Sequence, residues 1–186
     1  MNLKERKMDR AGDAGSELLY REELTSPLTT VFFAALALLF AALASWRWRA
    51  AGSQTLTWFL VILSLYFLFY TLNFRVLIIA ITPQFIRLKF GFIVWQTPLA
   101  DMERVYQDQL DFFRYYGGAG LHFMVVRGRY RASFNFLEHP RVALALRRPA
   151  GPVREISFST RQPDEIIEYV TRFADASRGE KPRRKK

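Results

Sequence analysis

The chain has 186 residues, of which 51% are hydrophobic and 24% charged, with a formal net charge of +10. It contains no cysteine, which excludes a disulfide framework, a thiolate metal site and a cysteine nucleophile. The length leaves room for one globular domain beside any membrane segment.

The charges are segregated. Two uncharged runs, Leu24 to Trp46 and Ala50 to Phe74, are separated only by a short break carrying Arg47 and Arg49. A helix needs about 20 mostly apolar residues to cross a bilayer, and both runs meet that length. They predict a helical hairpin over 28–74, with helices at about 28–46 and 56–74. Residues 1–27 are then a lead-in, 75–175 a domain, and 176–186 a tail. The stretch 1–23 mixes both signs and is expected to be loose and solvated. The alternative for Glu17 to Leu24 is a helical turn or two on the membrane surface.

Ser26-Pro27 reads as a helix start, with Ser as the cap and Pro at the first position, which has no amide to satisfy. Ala34, Ala37, Ala41 and Ala44 recur at helical spacing and predict a face packed on the second helix. Trp46, Trp48 and Trp58 cluster at the break, as indoles do at the headgroup level. Ala42-Leu43-Ala44 also fits a signal-peptidase site, but the preceding region is long and net acidic rather than short and basic. The Lys/Arg bias places both flanks of the hairpin on the cytoplasmic side of a multi-pass cell-membrane protein.

After Arg75 the pattern turns to short strands. Val76–Ile81, Phe85–Phe90 and Phe92–Thr97 are separated by Thr82-Pro83-Gln84 and Gly91. A strand over Arg104–Asp108 follows. The glycines between 117 and 120 predict a loop. Leu121–Val126 and Arg129–Phe136 form a hairpin around Arg127-Gly128, and Val142–Leu146 and Arg154–Ser159 are further strands. In the second strand of the hairpin, Tyr130, Ala132, Phe134 and Phe136 share one face. Arg129, Arg131, Ser133 and Asn135 share the other, read as a solvated sheet face or a partner surface. Pro163, Asp164 and Glu165 open a closing helix whose apolar stripe is Ile166, Ile167, Val170, Phe173 and Ala174. About seven strands and one helix predict a mostly-β domain, a bent sheet or barrel capped by the helix.

Several motifs follow one another in an informative order. A strand ends in Thr82-Pro83, the next leads to Gly91, and the box Thr97-Pro98-Leu99-Ala100-Asp101-Met102-Glu103-Arg104-Val105 follows. Tyr116-Gly117-Gly118 and Ile156-Ser157-Phe158-Ser159-Thr160-Arg161-Gln162-Pro163-Asp164-Glu165 complete the series. Over residues 75–175 this resembles the bacterial pleckstrin-homology-like domains, whose members often sit beside one or two transmembrane helices. The resemblance implies a pleckstrin-homology-like barrel and supplies no ligand, since fold does not imply function.

Catalytic chemistry has little to rest on. The two histidines, His122 and His139, are far apart with no Glu-x-x-His partner, and read as surface or packing residues. No nucleophile elbow or phosphate loop is present in the sequence. No enzyme activity, metal or cofactor is therefore expected. The leading expectation is a non-catalytic scaffold at the cytoplasmic face of the membrane, recruiting a membrane or cytoplasmic protein, with homo-oligomers compatible. The groove between a strand edge and the closing helix would admit a peptide as an added strand.

The alternative is attraction to anionic headgroups. Pleckstrin-homology domains that hold phosphoinositides use basic residues in the first hairpin. Here Arg87 and Lys89 resemble part of that pattern without its long basic loop. The tail residues Lys181, Arg183, Arg184, Lys185 and Lys186 would add charge near the lipid bilayer, at about 1 kcal/mol per cation. Nucleic acid is not an expected partner, because the tail lacks interleaved aromatics.

Overall fold

The computed structural model of the chain describes residues 17–50, 53–110 and 119–179. Strand β1 (Tyr20–Thr25) comes first, followed by helices α1 (Pro27–Arg49) and α2 (Gln54–Asn73). Strands β2 (Val76–Ile81), β3 (Phe85–Phe90) and β4 (Ile93–Pro98) lead through a short 3-10 turn, Leu99–Asp101, to β5 (Met102–Asp108). Then come β6 (Gly120–Val126), β7 (Arg129–Asn135), β8 (Arg141–Ala150), β9 (Val153–Ser159) and helix α3 (Pro163–Gly179).

Helix α1 starts where Ser26-Pro27 predicts. Ser26 is extended, and its hydroxyl oxygen accepts from the Thr29 amide at 3.0 Å, meeting one of the free donors of the first turn. The two helices pack along Phe33, Ala37 and Ala44, all buried. The Ser64 hydroxyl donates to the Ala37 carbonyl at 2.9 Å, and Phe40 stacks on Phe67 at 5.5 Å. The predicted alanine face is only partly used, since Ala34 is half-buried and Ala41 is exposed. Ala41 instead lines a cleft of about 440 Å³ between the helices.

Both helices are long and apolar enough to cross a membrane, and only 22% and 6% of their apolar windows is buried within the protein. Leu38, Ile62, Leu65 and Leu72 are among the many large apolar side chains left exposed. A helix serving the core of a water-soluble domain would bury that stripe.

The lead-in is where the structure departs most from the sequence reading. Residues 20–25 are neither loose nor helical: they form β1, antiparallel to β2, with Tyr20 opposite Ile81 and Leu24 opposite Leu77. Tyr20, Glu22 and Leu24 point inward while Arg21, Glu23 and Thr25 are exposed. The physical reason is an inward carboxylate, Glu22, whose partners lie far along the chain. The strand before the hairpin is thus part of the same sheet as the strand after it.

The described residues hold nine strands in two sheets, against the seven or so expected. One sheet has the order β1-β2-β3-β4 and is antiparallel throughout. The other has the order β5-β8-β9-β7-β6. Strand β9 lies between β8 and β7, running antiparallel to the first and parallel to the second. Strand bounds move by a few residues, most for β8, which runs to Ala150 rather than ending at Leu146. Arg127 and Gly128 both have positive φ, 49° and 76°, as the tight β6–β7 hairpin requires. Gly120, expected in a loop, is the first residue of β6, and Gly117 and Gly118 lie outside the described residues.

The core is built from Leu24, Leu77, Ile79, Ile86, Leu88 and Phe90 of the first sheet, Phe134, Leu144, Ile156 and Phe158 of the second, and Phe136 just after β7. Full burial of such a side chain contributes about 1.5–3 kcal/mol. Helix α3 covers one side with Ile166, Val170 and Ala174 fully buried and Ile167 and Phe173 partly so, as its stripe predicts. Tyr169 of α3 meets Tyr20 of β1 at 5.8 Å between ring centroids.

Candidate membrane-facing site

Three features set what the domain can do. The first is its attachment to the hairpin. The Glu22 carboxylate accepts from the Thr160 hydroxyl (2.6 Å), the Arg161 amide (2.9 Å) and the Tyr20 hydroxyl (3.0 Å). Burial, reinforced by Glu22 beside it, pushes the Tyr20 phenol well above its ordinary pKa. On the helix side, the Leu137 amide donates to the Thr29 hydroxyl (3.2 Å), and a His139 ring nitrogen meets the Thr25 carbonyl at 3.2 Å. His122 bonds the Ala119 carbonyl at 2.8 Å. The foot of α1 is therefore fastened to the β domain by strand pairing and by bonds from the loop between β7 and β8.

The second feature is a buried ionic cluster that overturns one sequence expectation. Arg131, Ser133 and Asn135 are not a solvated face or partner surface: their exposure is 2%, 0% and 0%. Of that group only Arg129, at the edge, keeps substantial access, with its side chain 36% exposed. The reason is that β7 is an interior strand: Arg131 and Ser133 face polar partners on neighbouring strands, while the Asn135 amide is buried without a hydrogen-bond partner among the described residues. Ser133 and Ser157 share a hydrogen bond of 2.7 Å. Arg131 binds Asp108 at 2.9 Å and Glu155 at 2.7 Å, and donates to the Tyr106 hydroxyl at 3.1 Å.

Tyr106 in turn donates to Glu155 (3.3 Å), and its pKa is raised, chiefly by burial. Arg141 approaches Asp108 at 3.9 Å and donates to the Leu110 carbonyl. At the exposed end, Arg129 pairs with Glu103 at 3.1 Å, which raises the pKa of its guanidinium. Among the described residues, two buried arginines face two buried carboxylates in this cluster. A polar cleft of about 350 Å³ borders it, lined by Tyr106, Asp108, Arg127 and Arg131 among others. Both Asp108 oxygens are occupied, Oδ2 by Arg131 and Oδ1 by the Leu110 amide at 3.2 Å. Among the described residues, that carboxylate serves as a structural partner of Arg131 and the Leu110 amide.

The third feature is the outer face of the first sheet. Strand register puts Arg21, Ala80, Arg87 and Gln96 in one row and Glu23, Ile78, Lys89 and Val94 in the row nearer the helices. Arg21 is held by Glu23 at 2.7 Å, both about half exposed, a surface pair worth about 0.2–1 kcal/mol. Arg87 and Lys89 are half-buried, and among the described residues neither makes an ion pair.

The structure adds Arg75, which in the sequence does no more than end the apolar run. Arg75 and Lys89 together line a cleft of about 290 Å³ at the foot of α2, with Leu72, Val76 and Ile78 as its apolar wall. A second cleft of about 120 Å³ lies higher on the face, between Arg21, Arg87 and Lys89. The expected tail contacts, Lys181, Arg183, Arg184, Lys185 and Lys186, lie outside the described residues.

Among the described residues, no group of three or more His, Cys, Asp or Glu is placed to hold a metal ion. The chain matches no protein-family model, no curated protein and no solved structure.

Proposed function

We propose that the chain is a membrane-anchored, non-catalytic module. In this reading α1 and α2 cross the bilayer, and a β domain of pleckstrin-homology-like architecture rests on the cytoplasmic leaflet with its basic face toward anionic headgroups. The observation that carries the reading is the pairing of β1 with β2 across the hairpin. That pairing leaves the domain little slack and holds Arg87 and Lys89 on a sheet rooted at the helix ends. Each cation near an anionic leaflet contributes about 1 kcal/mol, fading within a Debye length. The non-catalytic part rests on the buried carboxylates Glu22, Asp108 and Glu155, each committed to internal donors.

The test uses the full chain in nanodiscs of phosphatidylcholine alone or with phosphatidylglycerol. Backbone hydrogen exchange over 85–98 should slow with the anionic lipid, and the difference should shrink at high salt. Equal exchange in both lipids would contradict the reading.

A second reading, protein capture by strand addition, is favoured by β6. Among the described residues it is an edge strand, and Phe123 and Val125, which share the face of core residues Ala132 and Phe134, are 52% and 67% exposed. Open edges of this kind accept a further strand. A stoichiometric partner lost on Val125→Lys, in protein whose hydrogen exchange is indifferent to lipid charge, would favour this reading over the first.

A further inference from the structure

We infer that the cleft at the foot of α2 is a headgroup site for one anionic phospholipid, with Arg75 and Lys89 as the cations that take its phosphate. The inference rests on the membrane-anchored reading and sharpens it from a charged face to a built site. Four observations carry it.

The first is place. Helix α2 ends at Asn73, and the cleft opens between its last turn and the start of β2. A lipid phosphate sits at that depth when the apolar helix fills the hydrocarbon core. The second is shape. Leu72 and Val76 form an apolar wall next to the two cations, which suits a molecule that is charged at one end and greasy at the other. The volume, about 290 Å³, is near the lower bound of roughly 300 Å³ for small-ligand sites, enough for a phosphate and part of its glycerol.

The third is charge. Arg75 and Lys89 pair with no carboxylate among the described residues, and the acid in Lys89's own row, Glu23 on β1, is already held by Arg21. The carbonyl end of a helix repels an anion, so a phosphate here needs both cations to outweigh it. The fourth is rigidity. Gly91 turns back against α2 at a φ of +61°, and a Cβ there would stand 2.5 Å from both Asn73 Nδ2 and the Asn73 carbonyl oxygen. This close approach locks the β3–β4 turn to the helix end, so Lys89 and Arg75 face one cleft rather than drifting apart.

The competing account of the same residues is that Arg75 only offsets the helix dipole. The experiment separates the two. Full-chain protein in neutral detergent is titrated with phosphatidylglycerol and, separately, with phosphatidylcholine, and bound lipid is counted by native mass spectrometry. Soluble glycerol phosphate is added as a competitor. Wild type should retain one phosphatidylglycerol selectively. The Arg75→Gln/Lys89→Gln protein should lose affinity by about thirtyfold, at about 1 kcal/mol per cation. Arg154→Gln, an exposed cation on β9 of the other sheet, should bind as wild type.

Millimolar glycerol phosphate should fail to displace the lipid; displacement would reassign the site to a free phosphate compound. Unchanged phosphatidylglycerol binding in the double variant, with or without a lower melting temperature in phosphatidylcholine, would overturn the site while leaving the charged-face reading intact. Absence of phosphatidylglycerol selectivity in wild type would overturn both.

Discussion

Thr160 donates its hydroxyl hydrogen to Glu22 at 2.6 Å, across 138 positions of sequence and the whole helical hairpin. Glu22 also takes the Arg161 amide, so one carboxylate joins the strand before the helices to the corner between β9 and α3. Glu22→Ala leaves a buried hydroxyl and a backbone amide without an acceptor, at a cost of about 3 kcal/mol. For a chain of this size that lowers the melting midpoint by about 10 °C. Glu22→Gln keeps an acceptor and should lose less. Thermal unfolding of both full-length variants in one detergent checks the order.

Tyr20 gives the same corner a pH dependence. Its folded-state pKa is raised, first by burial and then by Glu22, so folding favours the neutral phenol. That contribution is fully present below the ordinary tyrosine value of about 10 and is lost as pH rises above it. Tyr20→Phe should lower stability by about 1 kcal/mol at neutral pH through the lost hydrogen bond. It should also flatten the decline above about pH 10. Melting curves of wild type and variant through the alkaline range measure both effects.

The Arg131 cluster should behave as structure. Arg131→Gln strands Asp108 and Glu155 in the interior and should cost about 3–5 kcal/mol. Arg129→Gln, at the exposed end, should change stability far less than Arg131→Gln. Both are read by denaturation in parallel with lipid counting. An Arg131→Gln protein that kept its stability but lost lipid would show the cluster to be a ligand site instead.

Two glycines distinguish backbone strain from close packing. Gly128 has φ +76° with open space around it, so Gly128→Ala should incur only the strain of a left-handed alanine, about 1 kcal/mol. Gly91 has φ +61° and abuts the Asn73 backbone. Gly91→Ala must also move the end of α2, and should cost at least about 1 kcal/mol more. The two melting midpoints should differ in that order.

Much of this architecture can be read from local pattern. The alternation in Phe85–Phe90, the positive-φ pair Arg127-Gly128 and the stripe from Ile166 to Ala174 each specify their own element. What escapes is what depends on distant partners. Tyr20–Thr25 looks like a charged lead-in because the donors that make an inward Glu22 tolerable sit near position 160. Alternation in β7 separates Arg131, Ser133 and Asn135 from the apolar row correctly. It cannot say that this second face is also buried, since the groups that answer Arg131 and Ser133 are on β5 and β9. Arg75 shows the same limit: in sequence it ends an apolar run, and only the pairing of β3 with β2 brings Lys89 to the same cleft.

Side-specific labelling tests the central claim most directly: a bilayer-crossing hairpin whose two flanks are sewn into one domain. The chain has no cysteine, so single cysteines can be placed at Arg21 in β1, at Ser53 between the helices and at Arg154 in β9. A membrane-impermeant maleimide applied to intact cells should label position 53 alone. Positions 21 and 154 should react together, and only after the membrane is opened. Labelling of 21 and 154 from opposite sides, or of 53 from the same side as either, would contradict the account.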